Sequence, residues 1–307
     1  MKVLIQNRVA GSRWTLPVTS LWTAAVWTAD GLWSESWWAQ AACYALCAYL
    51  MAELNNRNAL IRTFTRLMSV SFLMFTCMAG NLGSLTGALT LLSIIGTLTL
   101  FFRTYQDRQS AGWTYYTFLV LSLGSLADIH LLLLAPVWWL LMGLALNSLS
   151  WRTFTASLLG LATPYWILSG WHIYQGTWSS LANHLKPLTQ WSLNTGSIAT
   201  DWFSTTVAAL TFLSGIMGIV HYMRTNYRDK IRIRQYYYCF ITLTLIAGTL
   251  IFVQPQYHDL LQNLLIVSVA PLVAHFFALT HTRWTNAAFI ITTLLVIGLT
   301  VYRVWIS

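Results

Sequence analysis

Asp128 and His130 stand two residues apart in "LGSLADIHLLLLAPVWWLL", residues 123–141, an otherwise apolar stretch. A carboxylate that meets an imidazole can bind and release a proton. Two residues apart on a helix they would point to different faces, so the pairing needs a turn. The alternative for both is a solvated hairpin tip. His258 and Asp259 in "QPQYHDLL" pose the same choice, and Asp259 can also cap the helix that follows it. His275 lies in an apolar run four residues after Pro271, where it either lines a polar cavity or packs. Cys43 and Cys47 are one helical turn apart, yet no nearby His or second Cys pair completes a site, so no metal is expected. The chain carries no P-loop, dinucleotide fingerprint, HExxH or GxSxG, and no cofactor is expected.

The elements that must hold these residues follow from composition. Of 307 residues, 57% are hydrophobic and only 8% charged, and mean hydropathy is +0.59. Soluble domains carry about 25% charged residues. A chain so poor in charge cannot cover a water-facing surface, which predicts an all-α, polytopic transmembrane helical bundle. The net charge of +9 would suggest nucleic acid in a soluble protein. Here the basic residues sit in short loops between apolar runs, so they act as orientation signals and nucleic acid is not an expected partner. The basic stretch "HYMRTNYRDKIRIRQYYY", with its interleaved Tyr, suits anionic lipid headgroups instead.

A span needs about 20 residues to cross roughly 30 Å of hydrocarbon. The hydropathy pattern predicts eleven spans: 14–29, 37–54, 67–81, 84–102, 112–127, 130–149, 153–171, 203–223, 236–253, 260–279 and 285–305. One helix running through 123–141 would bury Asp128 near mid-membrane, at about 2.5–3.5 kcal/mol. A turn near Asp128 removes that cost. With the N-terminus inside and the C-terminus outside, 15 of the 17 basic residues fall on the inner side, and only Lys186 and Arg303 fall outside. Asp30, Glu35, Asp128, Asp201 and Asp259 then lie on the outer side, with His130, His172, His184 and His258. The whole of 1–307 is expected to form a single integral membrane domain. Its one long outer loop is 172–202, where Trp178, Leu181, Leu185, Leu188 and Trp191 recur at helical spacing and predict a short amphipathic helix.

Two resemblances add to this. "NSLSWRTFTASLLGLATPYW", then "RDKIRIRQYYY" and "VSVAPLVAHFFALTHTRW", in that order and spacing, resemble an uncharacterised family of multi-pass inner-membrane proteins of Bacteroidota, over roughly 100–305. That resemblance implies a place in the bacterial inner membrane and no particular reaction. The stretch from Phe118 to Trp166 is also similar to the middle of C-type glycosyltransferases, which use polyprenyl-phosphate sugars at the outer face. The second resemblance implies a catalytic carboxylate in the first outer loop, here Asp30 or Glu35 in "TADGLWSESWW", acting as general base, and an outer cation for the phosphate, for which Lys186 is the candidate. Two departures stand against it: that loop is short where the family's is long, and outer basic residues are few.

Three classes of function remain. The first is a non-catalytic membrane subunit or assembly factor of the bacterial cell envelope, with membrane lipids and other envelope proteins as partners. The second is an enzyme acting on a polyprenyl-linked substrate at the outer face, with Asp30, Glu35, Asp128 and His130 as candidate catalytic residues. The third is a transporter, disfavoured by the scarcity of ionisable residues within the spans and the lack of a visible repeat.

Overall fold

The computed structural model describes residues 4–189 and 202–306. Over them run thirteen α-helices and no strand: α1 Ile5–Gly11, α2 Thr15–Asp30, α3 Trp38–Asn58, α4 Leu67–Ala79, α5 Leu85–Phe101, α6 Ala111–Ser125, α7 Ala135–Leu144, α8 Trp151–Tyr174, α9 Trp178–Leu185, α10 Trp202–Thr225, α11 Ile231–Val253, α12 His258–Leu279 and α13 Arg283–Ile306. The all-α class is therefore as expected; ten of the eleven expected ranges each overlap one α-helix, and 130–149 overlaps a 3-10 segment and the short α7. Five segments are both long and apolar enough to cross a bilayer: Leu85–Thr104, Trp202–Arg228, Ile231–Val253, Pro255–Leu279 and Arg283–Ile306. Leu67–Ala79 and Ile129–Leu144 are apolar but shorter.

The turn at Asp128 is present. α6 ends at Ser125, a 3-10 segment runs from Ile129 to Leu134, and α7 starts at Ala135 with Pro136 in its first turn. Proline is tolerated there because its missing N–H would lack an intrahelical partner in any case. Asp128 caps the 3-10 segment by accepting from the His130 backbone N–H. The range 130–149 corrects to a shorter α-helix: the chain leaves α7 after Leu144 and takes a left-handed conformation at Asn147, φ +50°.

The helices group into two compact units. Residues 89–194 make one of them. Its centre is the α6–α8 pair. A Cβ at Gly160 of α8 would sit 2.5 Å from the Tyr115 carbonyl oxygen, so only glycine allows this approach. Hydrogen bonds then cross the pair. Ser122 donates to the Leu161 carbonyl at 2.7 Å, and the Ser125 and Tyr165 hydroxyls meet at 2.7 Å. Unpaired in hydrocarbon, such groups would cost free energy; paired between helices, they set the register. The amphipathic α9 lies within the expected 172–202 segment, with Leu181 buried and His184 Nε2 3.2 Å from the Ser125 carbonyl. Trp191 and Asp201 of that segment fall outside the described residues.

The other unit comprises residues 1–88 and 195–307, and α12 is its axis. Every residue from Leu260 to Ala278 is buried. A helix apolar on all sides belongs at the centre of a bundle, and here α4, α10 and α11 surround it. At Gly218 of α10 a Cβ would lie 2.9 Å from the Leu272 backbone, which brings α10 against α12 at close range.

The ends of these helices meet at two poles. At one, the buried Gln6 side chain of α1 donates to the Phe277 and Thr280 carbonyls at 2.6 and 3.1 Å. Arg62, in the α3–α4 connection, reaches the α10–α11 connection there. At the other pole, Arg303 near the end of α13 meets Asp30 at the end of α2. Tyr44 of α3 donates to the Asn81 carbonyl at 2.8 Å, and Asn81 donates to Asp259 at 3.3 Å.

Candidate functional site

Asp30 and other residues expected on the outer side occupy helix ends. Asp30 closes α2, and Gly31 at φ +113° turns the chain away from the helix. The Asp30 carboxylate is ion-paired and hydrogen-bonded to the Arg303 guanidinium, with the two side chains 7% and 14% exposed. Gly80 at the end of α4 floors the pair: it adopts φ +80°, and a Cβ there would collide with the guanidinium. Asp30 is thus a largely buried, ion-paired residue and not a solvated turn residue. Glu35 is exposed on the following turn and pairs with no cation among the described residues. Asp128 and His130 do pair: Asp128 Oδ1 lies 2.9 Å from His130 Nδ1 and 3.1 Å from its backbone N–H, both side chains about one-fifth exposed. Lys186, exposed at the end of α9, belongs to the 89–194 unit, whereas Asp30 and Glu35 belong to the other. Asp259, at the start of α12, is held by Asn81 and lies 3.6 Å from His258 Nδ1. Within the unit of residues 1–88 and 195–307, Gly80 and Asn81 place the Asp30–Arg303 pair and the Asp259 group at neighbouring positions of the chain; Asp128 and His130 pair within the other unit.

At the opposite pole lies a cluster that the sequence reading did not assemble. Asp229 follows a 3-10 turn, Asn226–Arg228, in the α10–α11 connection, and its side chain is fully buried. Arg62 Nε stands 2.9 Å from Asp229 Oδ1, and His275 Nε2 of α12 stands 3.4 Å from Asp229 Oδ2. The local chain explains how Arg62 arrives there. Asn55 accepts from the Ile61 N–H at 3.2 Å and donates to the Thr65 carbonyl at 3.4 Å, so the connection folds tightly beneath α3. Ala59, at φ +49°, ends the helix.

An aromatic box surrounds His275. Tyr222 and Tyr237 stack at 4.3 Å between ring centroids, and their rings stand 5.1 and 5.0 Å from the imidazole. His221 is 5.8 Å away. The contacts of Asp229 are ionic and not aligned as hydrogen bonds. Its two oxygens, both nitrogens of His275, the hydroxyls of Tyr222 and Tyr237, and His221 Nε2 are buried without a hydrogen-bond partner among the described residues. Native interiors leave few such atoms unless water or another ligand meets them. The cluster joins three segments far apart in sequence. One signal pointed to it: Asp229 is the only acidic residue in the basic stretch 224–234.

Cys47, Cys77 and Cys239 are buried, Cys43 is half-buried, and all four are free thiols. No group of three or more His, Cys, Asp or Glu side chains among the described residues is placed to hold a metal ion.

Fold and polar clusters together define an all-α chain with helices built for a membrane. No family model matches the chain, and no curated protein or solved structure matches it either.

Proposed function

We propose that this chain is a non-catalytic integral membrane subunit or assembly factor of a bacterial cell envelope, sitting in the inner membrane. One observation carries the reading. Buried acidic groups of the described chain act between helices: Asp30 pairs with Arg303, and Asp229 meets His275 and the partly exposed Arg62. Removing one partner of a buried pair costs about 3–5 kcal/mol, so such groups commit the helices to one arrangement. A glycosyltransferase-like carboxylate would have to face a cavity, and Asp30 instead faces Arg303.

The proposed topology has eleven spans, the N-terminus inside and the C-terminus outside. It rests on the 15 of 17 basic residues that it gathers on the inner side. The two poles add support. Arg62, Asp229 and Thr280, all assigned to the inner side, lie at one pole; Asp30, Arg303, Asn81 and Asp259, all assigned to the outer side, lie at the other. An error of one span would place contacting ends on opposite faces.

The test is purification from native membranes in a mild detergent, with mass spectrometry of proteins and lipids. A second integral membrane protein at fixed stoichiometry is the expected result. A chain recovered alone that turns over a polyprenyl-phosphate sugar would overturn the proposal.

A further inference from the structure

A groove of about 750 Å³ opens on the unit made of residues 1–88 and 195–307. Its walls are Val18 and Trp22 of α2, Val70 and Met74 of α4, and Ile290 and Ile297 of α13. α2 and α13 are tied at one pole by Asp30 and Arg303, and the groove lies between them toward the other. It runs along α4 from Leu67 to Phe75, about 12 Å at 1.5 Å per residue. That depth approaches half of a hydrocarbon core of roughly 30 Å.

The mouth differs in chemistry from the walls. Arg8 and Ser12 line it, and Trp14 beside them is 72% exposed, as an interfacial anchor would be. The chain segments near this end, 4–15, 60–67 and 280–284, carry Arg8, Arg13, Arg62, Arg66 and Arg283 and contain no Asp or Glu, and Arg62 is ion-paired with Asp229 of the α10–α11 connection. Arg8 is exposed and pairs with no carboxylate among the described residues. An apolar slot about one leaflet deep, with Arg8 at its shallow end, is complementary to one kind of molecule. That molecule has a hydrocarbon tail and an anionic head.

We propose that the groove seats one acyl chain of an anionic phospholipid, taken from the surrounding leaflet, with its phosphate on Arg8. The proposal needs the helices to be in a bilayer and is independent of whether the chain is a scaffold or an enzyme. A seated lipid would fill the wedge between α2 and α13 as a structural element.

The test is native mass spectrometry of the purified full chain, titrated in detergent with phosphatidylglycerol or with phosphatidylcholine of the same acyl chains. One phosphatidylglycerol should be retained, at a concentration about fivefold lower than phosphatidylcholine, the ratio expected for one basic residue near a headgroup. Arg8→Gln, an exposed change compatible with the fold, should erase that preference. Ser71→Trp, placed on the half-buried groove floor, should lower retention of both lipids. If that variant misfolds, Val70→Phe serves the same purpose. Equal retention of both lipids by the unmodified chain would overturn the proposal. So would a preference that survives Arg8→Gln, or a second copy of the chain occupying the groove in place of lipid.

Discussion

His275 of α12 and Asp229 of the α10–α11 connection face each other at 3.4 Å, both side chains wholly withdrawn from solvent. They are 46 positions apart in sequence, and Arg62 completes the group from a third segment. Asp229→Ala leaves a guanidinium and an imidazole without their common anion. The expected loss is about 2–4 kcal/mol, less than for a wholly buried pair because the Arg62 side chain is 38% exposed. In a chain of this size that lowers the melting temperature by roughly 4–12 °C, read by fluorescence-detected size-exclusion after heating. Arg62→Leu combined with Asp229→Leu should cost less than Asp229→Ala alone, because no unpaired charge is left behind. Equal or greater loss in the double variant would refute the clamp.

Gly80 supports the opposite pole through its conformation and its missing side chain. Gly80→Ala should destabilise by about 1–3 kcal/mol, since φ is +80° and the added methyl meets Arg303. In an Arg303→Ala background the steric part should vanish and only the backbone part remain. A double-mutant cycle measures this, and strict additivity would show that the glycine does not act through Arg303.

Within residues 89–194, Gly160→Leu should separate α6 from α8. The side chain would enter space held by the Tyr115 carbonyl and the Leu119 backbone. Solvent-accessible labelling of Ser122→Cys, slow in the parent, should become fast. Unchanged protection would show that the close approach of the two helices is not required.

Much of this fold was legible because hydrocarbon imposes length and apolarity on each helix, and the charge-poor runs between basic loops mark them plainly. The turn at Asp128 was legible for the same reason: a continuous helix there would have been too long and would have buried a charge. The early end of α7 was not, since it depends on a left-handed backbone at Asn147 that no residue type dictates. α1 escaped because its seven residues are stabilised by the Gln6 side chain reaching α12 and Thr280, a contact across more than 270 positions. Asp30 was legible as a candidate and misplaced as to environment. Its partner, Arg303, stands at the far end of the chain, and only tertiary packing joins them. Asp229 was hidden by the basic loop around it, because its partners Arg62 and His275 lie in segments far away in sequence.

The proposed orientation predicts a labelling pattern. In a Cys43→Ser background, whose remaining thiols are buried, Lys230→Cys should react only with reagent admitted to the inside, and Asn183→Cys with reagent applied outside. Both positions are exposed, so access reports sidedness. The reverse pattern would invert the chain.

Whether Asp30 joins helices or reacts with substrate bears most directly on the claim that this is a scaffold. The measurement is complementation of a deletion strain by Asp30→Arg, by Arg303→Asp, and by both together, at matched membrane levels. Each single variant juxtaposes like charges and should fail. The double variant restores the ion pair with its polarity exchanged and should recover function, which a general base lost from position 30 could not do. A double variant that is folded, inserted and still inactive would contradict the account.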